Sequence, residues 1–511
     1  MKIPGILIAA PSSGSGKTAV SCALMAALQA RGLQVRACKC GPDYIDPMFH
    51  REVLGVDSRN LDLFFSEPDE LRKGYIRHAS GADLVVTEGV MGYYDGRGLD
   101  TDAGSSYDVA RTLDLPVILV GNGRGPALSL AARVRVMSEF RSDSNIRGIL
   151  LNRVSKMLYP RMKDMLEQEL GKSGHKIPVI GYVPEDDAFR LESRHLGLVT
   201  PQELTDLKEQ TERAGNLLTE SVDLDLLLEI AGRASETRFP EDQASDTAAS
   251  GTKSGSSDAN QGKWKRYART AIARVAIARD EAFCFYYNAN LEMLEEAGLE
   301  LVPFSPLRDG KLPDNISGLI LGGGYPELYG ERLSANRSLL KEIHERVCAG
   351  LPCLAECGGF MYLHGEMEDE NGNIYPMTGG IEGRTYPTGR LVRFGYVNIA
   401  ADPGEPEKSA ENNGAEEQAY LRPGELIRGH EFHYWDSTDS GTDCVAVKPD
   451  GKRKWECIHM KGNLFAGYPH LYLPSMPEFA YRFADRCRSR KLQESAYRRE
   501  NGESADCKIR R

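Results

Sequence analysis

Two groups of residues have types and spacing that could do chemistry. Near the start of the chain, Pro11-Ser12-Ser13-Gly14-Ser15-Gly16-Lys17-Thr18 sets a loop of small residues before a Lys-Thr pair. Such a loop turns backbone N–H groups onto phosphate oxygens, a lysine reaches the terminal phosphates, and a threonine hydroxyl faces Mg2+. Gly14, Ser15, Gly16, Lys17 and Thr18 are therefore candidate nucleotide contacts, although Pro11 stands where a strict loop of this type has Gly. Far along the chain, Leu354-Ala355-Glu356-Cys357-Gly358-Gly359 puts a thiol between an apolar run and two glycines. A sharp strand-to-helix turn would expose that thiol, and the helix N-terminus would favour thiolate. The bland readings are a Gly/Ser turn before an ordinary helix and a buried inert cysteine, the role expected of Cys353.

Other residues gather around these two. Asp43 and Asp46, bracketed by Pro42 and Pro47, suit a site loop or, equally, a capped turn. Glu88 ends the apolar run Leu84-Val85-Val86-Thr87, where P-loop enzymes hold an acidic group near Mg2+. Asn152-Arg153 could contact base or ribose. In the second half, Gly322-Gly323-Gly324 ends another apolar run, so Gly323 and Gly324, with Gly358 after the thiol, are oxyanion candidates. A thiol nucleophile needs an imidazole to take its proton. His430, His433 and His470 all compete, and spacing does not choose among them.

The elements that must position these groups alternate strand and helix. Runs at Ile6–Ala10, Leu33–Lys39, Asp83–Gly89, Leu115–Gly121, Ile146–Val154 and Pro178–Pro184 read as buried strands separated by helical spacing. The pattern restarts at Arg274–Asp280, with a helix from Tyr286 to Ala297, strands at Leu299–Phe304 and Ile316–Leu321, and a last helix from Pro477 to about Arg490. The expected fold class is α/β with two doubly wound domains. The boundaries are 1–233 for a P-loop domain, 234–268 for a Ser/Gly/Thr-rich flexible linker, 269–490 for the thiol-bearing domain and 491–511 for a charged tail. The stretch 401–419 reads as an acidic insertion.

The chain has 511 residues, is 41% hydrophobic and carries a net charge of −11, which argues against nucleic acid or an anionic membrane as partner. No apolar run approaches a membrane span, and the N-terminus reads as a core strand rather than a signal peptide. Eleven cysteines without CxxC pairs read as reduced thiols of a cytoplasmic protein.

Taken together, the strings Pro11–Thr18, KCGPDYIDP (Lys39–Pro47), EGVMGYYDG (Glu88–Gly96), SRHLGL (Ser193–Leu198), GGGYPE (Gly322–Glu327), Cys357–Gly359, GHEFHY (Gly429–Tyr434) and the His470 segment resemble the cobyrinic acid a,c-diamide synthases. The first half is also similar to dethiobiotin synthetase and the second to class I glutamine amidotransferases. The resemblance implies ATP as substrate with Mg2+, and small-molecule partners only: glutamine, ATP and cobyrinate or a related tetrapyrrole such as hydrogenobyrinate or nickel sirohydrochlorin. A homodimer stays open. It implies Cys357 as the glutaminase nucleophile, His470 as its base, and Thr18, Asp43, Asp46, Glu88 and Asp95 as positions for metal and carboxylate activation. Triad glutaminases place Glu two residues after the histidine, whereas position 472 is Tyr. Cobyric acid synthase and a partition-ATPase-like nucleotide switch are the rival readings. Ser12 stands where such switches carry a second lysine.

Overall fold

A computed structural model describes residues 3–125, 127–190, 201–234, 272–401 and 419–500. The SRHLGL string, nearly all of the linker and the acidic insertion lie outside the described residues. The chain divides into two compact units, Met1–Thr252 and Lys253–Arg511.

In the first unit seven strands, β1 (Gly5–Ala9), β2 (Val35–Cys40), β3 (Ser58–Leu61), β4 (Leu84–Glu88), β5 (Val117–Asn122), β6 (Ile146–Asn152) and β7 (Val179–Val183), form one sheet in the order β3-β2-β4-β1-β5-β6-β7. Every pairing is parallel. Alternate residues feed two cores: Leu7, Val85 and Leu119 one face, Ile6, Ile8, Val86 and Ile118 the other. Burial on both faces is why these strands read as unbroken apolar runs. Helix α1 (Lys17–Ala30) follows β1, and α2 (Ile45–Glu52) follows β2.

The second unit is built on a six-stranded sheet containing β8 (Ala273–Ala278), β9 (Leu299–Phe304), β10 (Gly318–Leu321), β11 (Cys353–Glu356), Leu464–Gly467 and His459–Lys461. The first five run parallel to one another, and His459–Lys461 pairs antiparallel with Leu464–Gly467 at the edge. Two further sheets, of four and five strands, lie between His364 and Leu471 and were not anticipated. Their longest strands, Arg393–Ala401 and Leu426–His433, alternate buried with more exposed positions, so they give no long apolar run. The final helix spans Pro477–Glu500, ten residues past the expected stop, into the region expected to be tail. Its later residues are charged but include no Gly or Pro that would break it before Asn501.

Candidate active site

In the first unit, Ile8 of β1 and Lys39 of β2 are both register partners of Glu88 on β4, so three strands end at one level. The loop leaving β1 re-enters the fold as α1 at Lys17. Gly16 has φ 89°, and a Cβ there would stand 2.4 Å from Asn152 Nδ2, so both backbone and space require glycine. Asn152 Nδ2 donates to Ser15 O at 2.8 Å, while Ser15 Oγ donates to Ser12 O at 2.9 Å. Asn152 thus holds the loop itself rather than only facing a base. Lys17 Nζ donates to Ser12 O at 3.2 Å and to Met91 O.

At the start of α1, Thr18 Oγ1 donates to Glu88 Oε1 at 2.6 Å. The same oxygen accepts from Lys39 Nζ at 2.7 Å, and Lys39 also pairs with Asp46. His50, fully buried on α2, brings Nε2 to 3.6 Å from Glu88 Oε2 and hydrogen-bonds Ser58 through Nδ1. Burial alone would raise the Glu88 pKa, but Lys39 and His50 outweigh it and hold the carboxyl well below the usual range. Burial, then the Glu88 charge, pushes Asp46 up to about 7. Burial opposes charge on Lys39, yet Glu88, Asp46 and Asp43 together raise it. Lys17 is lowered, first by burial and then by Lys39.

Asp43 and Asp95 are engaged locally. Asp43 Oδ1 accepts from Ile45 N at 2.8 Å and Asp46 N at 3.2 Å, which makes it the cap of the α2 turn. Asp95 Oδ2 accepts from Gly92 N at 2.9 Å and closes the loop after β4. Lys39 and His50 escaped the sequence reading. The available signal for Lys39 was a lysine inside a buried strand end, which must find a counter-charge. A cleft of about 1550 Å3 opens over this network, lined by Gly14, Lys17, Thr18, Lys39, Glu88 and Asn152 among others. Thr18 Oγ1 and Glu88 offer hard oxygens of the kind Mg2+ takes. Among the described residues no group of three or more His, Cys, Asp or Glu could hold a metal ion.

In the second unit, Cys357 sits between β11 and the helix Gly358–Leu363 with φ 48° and ψ −107°. A non-glycine residue there carries strain of about 1–3 kcal/mol. Hydrogen bonds fix the turn: Cys357 N donates to Gly467 O, and Met361 N donates to Cys357 O, both at 2.9 Å. The thiolate expectation is corrected. Burial, with Glu327 next in effect, drives the thiol pKa far up, and the nearby Gly358 N–H only partly opposes this. The thiol is held protonated and needs a base.

Strand pairing places one of the three candidate histidines next to the residue that precedes the thiol. Glu356 pairs with Gly467, and the chain then turns so that His470 pairs with His430. The His470 ring lies on Gly323, where a Cβ would come within 2.3 Å of Cε1. Gly358 is packed against Gly324 N and Pro326, so two of the three oxyanion candidates are neighbours and Gly323 touches the histidine. Burial, with His430 and His433 adding, pulls His470 down to about 3, so it is a neutral imidazole. His433 has both ring nitrogens engaged, Nδ1 with Trp435 O at 2.6 Å and Nε2 with Glu431 at 3.1 Å, and it stacks on Tyr468 at 4.0 Å. His430 packs edge-on against Phe394 and Tyr396.

Comparison with known proteins covers both units. Residues 6–199 match the CobQ/CobB/MinD/ParA nucleotide binding domain family, and residues 274–477 match the CobB/CobQ-like glutamine amidotransferase domain family. The cobyrinate a,c-diamide synthase of Caldanaerobacter subterraneus subsp. tengcongensis is 37% identical over 487 residues, covering 94% of this chain and 98% of that relative. The proteins of the same description from Listeria innocua (92% and 97% covered) and Picrophilus torridus (95% and 99%) are each 38% identical.

Proposed function

The chain belongs to the cobyrinate a,c-diamide synthase family, and from that premise we propose that it amidates the a and c acetate carboxylates of cobyrinate, through acyl phosphates. As a member it is a ligase that uses ATP and takes its nitrogen from glutamine. The observation that carries the reading is the strained Cys357 elbow at φ 48°, in a chain whose other unit carries a P-loop.

A carboxylate and ammonium do not condense at neutral pH, because oxide is the leaving group and the nitrogen lone pair is protonated. Phosphorylation solves the first difficulty. A carboxylate oxygen of the acceptor attacks the γ-phosphorus of ATP, ADP departs, and ammonia then adds to the acyl carbon and expels phosphate. Lys17 neutralises the transferring phosphoryl group, and Thr18 and Glu88 would hold Mg2+. That ion, when bound, supplies charge neutralisation on the phosphates. Lys39 keeps Glu88 ionised, while Asp46, pushed up to about 7, can carry or release a proton beside it. Asp43 and Asp95 shape the loops that receive the acceptor.

Glutamine solves the second difficulty. Cys357 Sγ attacks the side-chain amide carbon while His470 takes the thiol proton and returns it to the departing ammonia. Water then hydrolyses the thioester to glutamate. Among the described residues no helix is long and apolar enough to cross a membrane, and ten cysteines are free.

The test is to give the purified chain MgATP and glutamine with cobyrinate, hydrogenobyrinate or nickel sirohydrochlorin, and to count product amides by mass spectrometry. Two amides on cobyrinate are expected. Amidation of another tetrapyrrole with none on cobyrinate would move the assignment to that acceptor, and hydrolysis of ATP with no amide at all would favour a nucleotide switch.

A further inference from the structure

We propose that Glu356, the residue directly before the nucleophile, is the positioning residue for His470 and completes the glutaminase centre. The inference rests on the assignment of Cys357 and His470 given above. Position 472, where triad glutaminases carry their acid, is Tyr; its N–H donates to Arg428 O and its ring packs edge-on against Tyr287. The acid therefore has to come from elsewhere in the fold.

Glu356 ends β11 and is in register with Gly467, so the turn after Gly467 brings His470 back alongside it. Glu356 Oε2 lies 3.8 Å from His470 Nδ1, and Oε1 accepts the Leu471 N–H at 3.3 Å. One carboxylate thus meets both the ring and the next peptide group. His470 is buried and Glu356 is mostly covered, at 4% and 13% exposure. The 3.8 Å separation is ion-pair distance, longer than a hydrogen bond, and such contacts commonly tighten when substrate is bound.

Rival carboxylates are committed differently. Glu431 accepts from Trp455 Nε1 at 3.2 Å and pairs with His433 at 3.1 Å. Glu327, in the Gly322–Glu327 turn, acts on the Cys357 thiol, where it opposes ionisation.

Chemically, Glu356 in its ionised form would hold the proton on Nδ1, so that Nε2 presents its lone pair to the thiol. When His470 takes the thiol proton, Glu356 balances the imidazolium. Burial pushes Glu356 up to about 8 and pulls His470 down, with His430 and His433 adding to the latter. Each group is thus costly to charge alone, and charging them together removes much of that cost.

The experiment uses the full chain and compares glutamine hydrolysis with amidation driven by ammonium salt. In Glu356→Gln, which keeps an acceptor for Leu471 N–H, kcat for glutamine should fall by ~10²-fold or more, as for a disoriented general base. The KM for glutamine should stay within about threefold, since the change acts on the transition state. Ammonium-driven amidation should persist, and Glu356→Asp should recover part of the loss relative to Glu356→Ala. A Gln variant with near wild-type kcat, an Asp variant no better than Ala, or parallel loss of kcat, KM and ammonium-driven synthesis would overturn the role. Cys357→Ala run alongside separates the two levels: if it keeps glutamine hydrolysis the glutaminase assignment falls, and if only Glu356→Gln keeps it, Glu356 alone is reassigned.

Discussion

Thr18 Oγ1 and Glu88 Oε1 meet at 2.6 Å, which joins the first turn of α1 to the end of β4 across 70 residues of sequence. The same carboxylate oxygen takes Lys39 at 2.7 Å, so a hydroxyl, an ammonium and a carboxylate are locked together beneath the phosphate loop. Removing the charge at the centre of this arrangement should cost chemistry more than folding, because Lys39 keeps Asp46 as a partner.

Glu88→Gln and Lys17→Ala should each abolish ATP-dependent amidation while basal glutaminase activity remains measurable. Both residues line the cleft of the first unit, whereas Cys357 and His470 belong to the second. Amide yields from glutamine and ammonium, measured beside glutamate release, check this. Normal amide formation by either variant would remove the phosphate-site assignment from that residue.

Asn152→Ala should raise the KM for ATP more than it lowers kcat. Its amide is the clamp on Ser15 O at 2.8 Å, and a freed P-loop must be reordered at each binding event. A buried hydrogen bond lost in this way is worth ~1–3 kcal/mol, so a rise of roughly five- to hundredfold in KM is expected. A fall in kcat with unchanged KM would instead place Asn152 in the chemical step.

Asn152 also shows where sequence reading reached its limit. Its position at a strand end was legible, because β6 is a buried parallel strand with an apolar run. Its partner was not, since the contact to Ser15 spans 137 residues and depends on register between strands. The same holds for His470. Three histidines were equivalent in sequence, and only the pairing of Glu356 with Gly467 and of His430 with His470 sets one of them against Glu356, the residue before Cys357. The Cys357 elbow was visible because strand, thiol and glycines are contiguous. The thiol's raised pKa was not, because it comes from burial and from Glu327, which no local pattern reveals.

Acid should destabilise the second unit through its buried imidazoles. Burial, then Lys448, pulls His430 down to about 4, so the folded chain resists a proton that the unfolded chain takes up near 6.5. With a depressed folded pKa, the contribution is fully present above about 6.5 and is lost as pH falls towards 4. Between pH 7 and 5 this one residue should cost about 2 kcal/mol, and His430→Gln should flatten that slope. Denaturant titrations of wild type and variant at several pH values measure it; parallel slopes would show that His430 does not set the acid limit.

The coupling of the two chemistries turns on Cys357. Its thiol is buried in the core of the second unit, held protonated and carried on a strained backbone conformation. If the thiol only liberates ammonia, Cys357→Ala should lose glutamine-dependent synthesis completely yet still make diamide from ammonium salt. That rescued rate should climb with pH as more NH3 becomes available, until the ATP site itself fails. His470→Ala should follow the same pattern less severely, because a positioned base contributes ~10²–10⁴-fold and the nucleophile is still present. Variants at His430 and His433 should keep more glutaminase activity than His470→Ala, since one packs against aromatic rings and the other has both nitrogens engaged. Glutamine-dependent diamide formation by Cys357→Ala would reject the thiol as nucleophile. Failure of ammonium to rescue it, with ATP binding intact, would mean that the acceptor site works only while the glutaminase turns over.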